Sequence, residues 1–174
     1  MNFIPQYLDL SLQSVGDHGV WISVPTIMKK GEWGEVFFYG ATPDEPLRIR
    51  GDLSEPHVVG TAKMESGHYT FPPEEEKDDS GKNISFPALG RVFFELYLLA
   101  GNNCWYSNEI YTQYLEVKVN PGDKIKLTGK DSDRTDEHPG IYSSGQAGTK
   151  EGFLRYLGHE FKVDEASLYI PHGR

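Results

Sequence analysis

Residues 91–100 read Arg-Val-Phe-Phe-Glu-Leu-Tyr-Leu-Leu-Ala, and this stretch decides the fold class. After Arg91 it is apolar on both sides of a period-2 alternation, with Glu95 as its one charged residue. Successive side chains of a strand point to opposite faces, so a strand that is apolar on both sides is covered on both faces. We therefore predict a central strand here and arrange the rest of the chain around it.

Shorter segments with the same alternation lie before and after this strand. They predict strands at residues 7–15, 20–24, 35–39, 47–50, 57–63, 105–119, 124–127 and 163–170. Clusters of Gly, Pro, Asn and Asp separate them, as expected for tight turns. The cluster at 16–19 predicts that the first 25 residues form a hairpin. The Asn-Pro-Gly-Asp sequence at 120–123 predicts a second hairpin, with 124–127 as its return strand.

Helical spacing of apolar residues occurs once, between residues 149 and 161. Phe153, Leu154, Leu157 and Phe161 lie at i, i+1, i+4 and i+8, which predicts one short helix at 149–161. About eight to ten short strands with this helix predict an all-β fold, an antiparallel β-sandwich or a jelly-roll-like variant of it. We expect a single domain over residues 1–174, with a mobile acidic loop at 72–84.

Composition argues against several kinds of partner. The chain has 17 Lys and Arg against 26 Asp and Glu, a net charge of −9, whereas nucleic-acid binding needs a clustered basic surface. No stretch reaches 18 consecutive apolar residues, so we expect no transmembrane segment. One cysteine permits no internal disulfide, and the first residues carry no signal-peptide pattern. We therefore expect a cytoplasmic protein, or one exported without a classical signal peptide.

Aromatic side chains at predicted strand ends and loops are the best indication of a ligand. Ring faces stack on the C–H groups of sugars, while amides and carboxylates bind hydroxyls. The candidate ligand-binding residues are Trp33, Trp105, Tyr106, Asn108 and Tyr142. The sequence thus favours a non-catalytic binding module for carbohydrate or another polar ligand. Packing of the same rings at the ends of the core is the alternative.

An acidic segment after a predicted strand is the candidate metal site. Its carboxylates are those of Asp131, Asp133, Asp136 and Glu137, and alternate carboxylates in a loop can turn their oxygens towards one calcium ion. The spacing begins like an EF-hand loop, but it lacks glycine at position six and glutamate at position twelve, and Arg134 brings a competing charge. The sequence therefore favours a solvated polar loop here, with a calcium site as the alternative that fits without being required.

Two other functions fit the sequence. An assembly or protein-interaction subunit, forming a homo-oligomer through an edge strand, would use the aromatic strands as contact surface. A small enzyme would need acid-base groups, for which the candidates are His57, His68 and Glu95. A turn near residues 65–67 would bring the two histidines together across a hairpin, and burial would raise the pKa of the glutamate. Because no nucleophile motif supports catalysis, the sequence favours a protein that is not an enzyme.

Overall fold

The computed structural model describes residues 6–23, 28, 32–70, 90–110, 113–133, 135 and 140–171. The regular structure in these residues is almost entirely strand, which confirms the all-β class. In chain order the strands are β1 (Tyr7–Leu12), β2 (Val20–Ile22), β3 (Gly34–Tyr39), β4 (Leu47–Asp52), β5 (His57–Thr70), β6 (Phe93–Ile110), β7 (Gln113–Val119), β8 (Lys124–Gly129), β9 (Ile141–Tyr156), β10 (His159–Val163) and β11 (Ala166–Ile170). A 3₁₀ turn at Asp131–Asp133 follows β8. The prediction of about eight to ten short strands is wrong for β5, β6 and β9, which have 14, 18 and 16 residues.

These strands form one mixed sheet with β6 near its middle. The main path is β1-β4-β5-β6-β7-β9-β10, while β3 pairs with β2 and β5, β8 with β6 and β9, and β11 with β9. β5 and β6 run parallel, from His57 opposite Phe93 to Thr70 opposite Ser107, so the prediction of a purely antiparallel fold is wrong. A parallel pair needs a crossover of a dozen or more residues, and residues 71–92 supply it. The predicted acidic loop at 72–84 falls in this connection, outside the described residues.

The turn at residues 120–123 does not make the predicted hairpin. β7 pairs antiparallel with the second half of β6 and β8 with its first half, so β7 and β8 follow one another in the same direction. Both also pair with β9. The turn therefore interrupts the chain between two strands that continue in the same direction along β6. Just before β8 begins, the Ala100 N–H donates to the Asp123 carbonyl (2.9 Å). The chain reverses earlier, where Ile110 pairs with Gln113.

The predicted hairpin in the first 25 residues is also wrong. β1 and β2 lie where the alternation places them, but β1 pairs with β4 and β2 pairs with β3. Between them Ser14 bonds to β3, since its N–H donates to the Phe38 carbonyl and its hydroxyl oxygen accepts the Phe38 N–H, both at 3.0 Å. Alternation specifies the face that a side chain takes and leaves the neighbouring strand open.

A β-hairpin replaces the predicted helix at 149–161. β9 and β10 pair antiparallel, and Tyr156 opposite His159 closes the ladder. The two turn residues, Leu157 and Gly158, have φ of 48° and 80°, the type I′ geometry that suits a two-residue hairpin. Glycine at 152 and 158 disfavours a helix, and the four apolar residues are divided between β9 (Phe153 and Leu154), the turn (Leu157) and β10 (Phe161).

The long central strands are interrupted at one level of the sheet. The register of β5 on β6 shifts between Met64 and Ser66, and β7 and β8 are separated by residues 120–123. Hydrogen bonds join the interruptions, since Asn102 Nδ2 donates to Glu65 Oε1 (2.5 Å) and the Gly148 N–H donates to Asp123 Oδ2 (2.6 Å). Bulges bend strands, and these interruptions lie side by side in a row across the sheet. We use this row to divide the sheet into a first half, which includes β4 and β8, and a second half, which includes β7 and β10.

Burial is concentrated beside β5 and β6. The buried apolar side chains of the described residues are Met28, Val36, Leu47, Ala62, Val92, Ala100, Cys104 and Val117. Met28 forms a β-bridge with Tyr69 at the end of β5. By contrast, no residue of β1, β2, β10 or β11 is buried, so the strands at the margins of the sheet are its most exposed part. In the part of the chain that the structure describes, no helix has the length and apolar character to span a membrane.

Candidate functional site

The predicted ligand residues on β6 lie on two different faces of the sheet. Trp105 and Tyr106 are consecutive in an extended strand, so their rings point in opposite directions. Asn108 shares the face of Tyr106, and its Nδ2 donates to the tyrosine hydroxyl oxygen at 3.1 Å. Trp105 Nε1 donates to Asn103 Oδ1, also at 3.1 Å. A small ligand stacked on Trp105 therefore has no access to Tyr106 and Asn108.

Trp33 and Tyr142 lie elsewhere. Trp33 precedes β3 and is 59% exposed. Tyr142, near the start of β9, is opposite Thr128, which is itself opposite Glu95 on β6. Trp105 is ten residues further along β6 than Glu95, a separation of up to roughly 30 Å in an extended strand. The structure thus does not bring the five predicted ligand residues together in one site.

The acid-base groups of the enzyme hypothesis are separated as well. His57 and His68 are eleven residues apart in the continuous strand β5, so the turn expected near residues 65–67 is a bulge and makes no hairpin. Glu95 is not buried, since its side chain is 49% exposed and its Oε1 contacts Lys126 Nζ at 2.9 Å. His57 stacks on Phe93, with the ring centroids 5.0 Å apart. These three residues therefore form no acid-base cluster.

The predicted metal ligands are described only in part. Asp131 and Asp133 form the ends of the 3₁₀ turn, whereas Asp136 and Glu137 lie outside the described residues. Asp133 Oδ1 contacts Lys130 Nζ at 3.4 Å, and the same ammonium contacts Glu55 at 3.1 Å. The hydrogen bond that the Lys130 ammonium donates to Glu55 Oε1 is the main cause that raises the pKa of Lys130. Among the described residues, no group of three or more His, Cys, Asp or Glu side chains is arranged to hold a metal ion.

The shifted pKa values at the centre of the sheet belong to packing groups. Cys104 is 1% exposed, burial raises its pKa, and its thiol donates to a main-chain carbonyl. Burial also raises the pKa of Tyr69. The Lys63 ammonium, and to a lesser extent the hydrogen bonds from Asn102, lower the pKa of Glu65 against the effect of burial. Burial favours the protonated form of the Cys104 thiol, and a protonated thiol is a poorer nucleophile than a thiolate.

One face of the first half of the sheet carries two shallow depressions. The first, of about 400 Å³, is lined by Tyr7, Arg48, Arg50, Gly51, His57 and Val59. The second, of about 310 Å³, is lined by Tyr97, Lys124, Lys126, Ser144 and Gly145. The register places both on the same face, because residues directly opposite one another share a face and alternate residues return to it. We call this surface the arginine–lysine face; by its register Tyr142 also lies on it.

Two cations of the arginine–lysine face have no carboxylate partner among the described residues. Arg48 Nη1 donates to the Ser11 hydroxyl at 2.7 Å, and Lys124 Nζ lies 3.7 Å from the centroid of the Tyr97 ring. The other two cations have carboxylate partners: Arg50 contacts Asp9 at 3.4 Å, and Lys126 contacts Glu95 at 2.9 Å. In a chain of net charge −9, this is a local positive surface beside aromatic rings. Such a surface attracts a ligand that carries a negative group.

Four strands, which we call the outer strands, each pair with a single neighbour among the described strands: β1, β2, β10 and β11. Their exposed large apolar side chains are Tyr7, Leu10, Leu12, Val20, Trp21, Phe161, Leu168 and Tyr169. Almost every residue of β1, β10 and β11 is exposed, on both faces of the strand. An uncovered edge is a template for pairing with another strand, and proteins normally shield it. The outer strands are therefore a second candidate site.

The turn that leads into β10 carries a further exposed apolar residue. Leu157 is 62% exposed although its φ is 48°, a conformation that disfavours leucine. On β10 itself Phe161 is 52% exposed. The charged residues on either side of it contact their own chain, Glu160 to Arg155 at 3.1 Å and Lys162 to Asp164 at 2.5 Å. This hairpin thus presents apolar surface at its tip and along one face.

Sequence reasoning proposed association through an edge strand and named His57 and Tyr142, but it located neither surface, although more of the signal was readable. Arg48 and Arg50 are two residues apart in a predicted strand, so they share a face. Residues 160–162 alternate in the same way, but the helical interpretation of that segment hid it. Lys124 and Tyr97 carry no sequence signal, because they meet only through the register of β8 on β6.

Comparison with known proteins does not assign the chain to a family. No family model matches the chain, and no match is found among curated proteins or among solved structures. The functional argument therefore depends on the geometry of the two surfaces.

Proposed function

We propose that this protein is a non-catalytic assembly subunit that associates with further copies through its outer strands. The observation that carries the proposal is the concentration of exposed large apolar side chains on strands that pair with a single neighbour within the described residues. Burying such side chains against a partner strand removes apolar surface from water and pairs the free backbone groups of the edge. Both effects favour association over an isolated chain.

The contrast within the sheet supports this proposal. The buried apolar residues of the described chain lie on or beside β5 and β6, whereas those of the outer strands are exposed on both faces. The margins therefore gain little from the fold of the single chain. A two-stranded ribbon is marginally stable in water without further packing. A sandwich-like packing of the two halves of the sheet, bent at the row of interruptions, is our proposal for how the centre is covered.

Sedimentation velocity over about 1 to 300 µM tests the proposal. We expect the mass of the wild type to rise with concentration. We also expect at least one of three lysine variants at exposed apolar positions of the outer strands to reduce that rise: Leu10→Lys on β1, Phe161→Lys on β10 or Leu168→Lys on β11. Leu53→Lys is the matched control, since Leu53 and Leu10 are both 46% exposed and Leu53 lies between β4 and β5. A wild type that stays monomeric, or a control that disrupts association equally, would refute the proposal.

A second candidate function is binding of a polar ligand, such as an acidic carbohydrate, on the arginine–lysine face. The observation that favours it is the pair of adjacent depressions, where two cations without carboxylate partners lie beside tyrosine rings. Rings stack on sugar C–H groups, and the cations would pair with sugar carboxylates. The face is open and contains no enclosed reaction site among its lining residues, which fits binding better than catalysis.

Calorimetry with a uronic-acid oligosaccharide and a neutral oligosaccharide of equal length tests this second function. We expect the acidic ligand to bind at least tenfold more tightly, and we expect Arg48→Gln with Lys124→Gln to abolish the preference. Lys118→Gln is the control, because that lysine lies on β7 and contacts Glu151. Equal binding of the two ligands, or an undiminished preference in the double variant, would exclude the arginine–lysine face as the site.

Calcium binding at Asp131, Asp133, Asp136 and Glu137 remains a prediction of the sequence. The competing contact of Asp133 with Lys130 would have to break for its carboxylate to turn to a metal ion. A melting temperature that rises with calcium in the wild type and not in Asp131→Asn with Asp133→Asn would support the site. Equal melting temperatures with calcium and with EDTA would dismiss it.

A further inference from the structure

We propose that two copies of the chain pair antiparallel through β10, across a twofold axis at Phe161. This inference rests on the proposed function and names the strand and the register that it uses. The pairing would place Glu160 opposite Lys162 of the second copy, and Phe161 opposite Phe161. Backbone geometry, charge and apolar surface each support this arrangement.

The backbone of β10 has the correct phase for this pairing. In a hairpin with a two-residue turn, the residues that flank the turn form a hydrogen-bonded pair, here Tyr156 and His159. Pairs alternate along an antiparallel ladder, so Phe161 and Val163 also bond to β9, while Glu160 and Lys162 direct their N–H and C=O groups away from it. In the proposed register these outward groups meet one another and form about four hydrogen bonds between the copies.

Charge selects this register from its neighbours. The outward backbone groups of β10 allow twofold pairings centred on residue 160, 161 or 162. Centring on 160 or 162 sets Glu160 against Glu160 or Lys162 against Lys162, and like charges directly opposite are destabilising. Centring on Phe161 places the Glu160 of each copy opposite the Lys162 of the other, which gives two pairs of opposite charge. Each Glu160 would then lie between Arg155 of its own chain and Lys162 of the other.

The opposite face of the strand is complementary as well. Phe161 is 52% exposed and is opposite Leu154 on β9, which is in turn opposite Leu115 on β7. Pairing at Phe161 would join two such rows into one apolar stripe across both copies. Neither β1 nor β11 offers this selectivity, because Asp9 is the one charged residue of β1 and β11 has none.

The test uses two single variants whose sequences complement each other. Glu160→Lys leaves a lysine at both position 160 and position 162 of β10, and Lys162→Glu leaves a glutamate at both. Each variant alone would set like charges opposite in the proposed register, so we expect each to self-associate about 10- to 100-fold more weakly than the wild type. Mixed in equal amounts, they set lysine against glutamate at both positions, and we expect a heterodimer at least as tight as the wild-type dimer.

Sedimentation velocity gives the dissociation constants, and thermal unfolding of each variant confirms that it is folded. Asp9→Lys on β1 is the control, with a charge change of equal size on a different outer strand, and we expect it to leave the dimer unchanged. If the wild type associates but neither variant is weakened, or if the mixture forms no heterodimer, the β10 register is wrong and the assembly function stands. If the wild type does not associate, both are refuted.

Discussion

Replacing Gly152 by alanine should destabilise the hairpin that carries β10. A Cβ added at Gly152 would lie 2.5 Å from the Glu116 carbonyl oxygen and 2.7 Å from Val117 Cγ1, whereas ordinary contacts begin at about 3.4 Å. Relief of this overlap requires β7 and β9 to separate by nearly 1 Å, which strains the ladder bonds on both sides of it. Overpacking costs about 1–3 kcal/mol and a weakened hydrogen bond about 1 kcal/mol, so we expect a loss of about 2–4 kcal/mol.

Thermal and urea unfolding measure this loss, and for a chain of this size it lowers the melting temperature by roughly 5–15 °C. Gly122→Ala is the matched control, since a Cβ there meets nothing within 4 Å and only its φ of +90° opposes alanine. We expect that control to lose about 1 kcal/mol. Because Gly152 is paired with Val163 on β10, Gly152→Ala should also weaken self-association. A loss below about 0.5 kcal/mol, or equal losses in the two variants, would refute the close approach of β7 and β9.

Three further predictions concern titration, turn geometry and thiol reactivity. Lys63 lowers the pKa of Glu65, so the ionised Glu65 stabilises the fold at neutral pH, and this contribution disappears as the pH falls below about 4. Glu65→Gln should therefore lower stability at pH 7 and reduce the fall of the urea unfolding midpoint between neutral and acid pH. An unchanged fall of the midpoint at acid pH would contradict this. Leu157→Asn should raise the melting temperature by roughly 1–3 °C, because asparagine accepts positive φ, whereas Leu53→Asn should not; a lower value for Leu157→Asn would contradict the type I′ turn. Cys104, buried and with a raised pKa, should react with a disulfide reagent at pH 8 only as fast as the chain unfolds, so complete labelling of native protein within seconds would show that the thiol is accessible.

The sequence predicted the places of the strands better than their partners. The alternation in residues 91–100 identified the central strand, and β3, β4 and β8 begin within a few residues of the predicted segments. The two predicted hairpins failed because a tight turn such as the one at 120–123 can return the chain to the same ladder as well as reverse it. The parallel pairing of β5 and β6 was not readable, because its partners are joined through a long connection that contains no pairing signal.

The site residues were harder to predict than the fold. Aromatic content drew attention to Trp105 and Tyr106, but a strand sends consecutive rings to opposite faces, so their adjacency in sequence argued against a shared site. Tyr142 was selected for its loop-like surroundings and lies by register on the arginine–lysine face. The neighbours that make this face positive come from β4 and β8, and only the strand order brings them near one another. Contacts across a sheet are set by register, which one sequence does not specify.

The parallel pairing of β5 with β6 also bears on how the chain folds. Residues 57–70 must find residues 93–107 across a separation of about 36 positions, and closing so long a loop costs entropy before any contact compensates it. Hairpins such as β9–β10 need only a two-residue loop and can form in microseconds, whereas a sheet dominated by distant pairings folds in milliseconds to seconds. During that interval the outer strands meet other chains before their own sheet is complete. Refolding yield should therefore fall steeply as the protein concentration is raised.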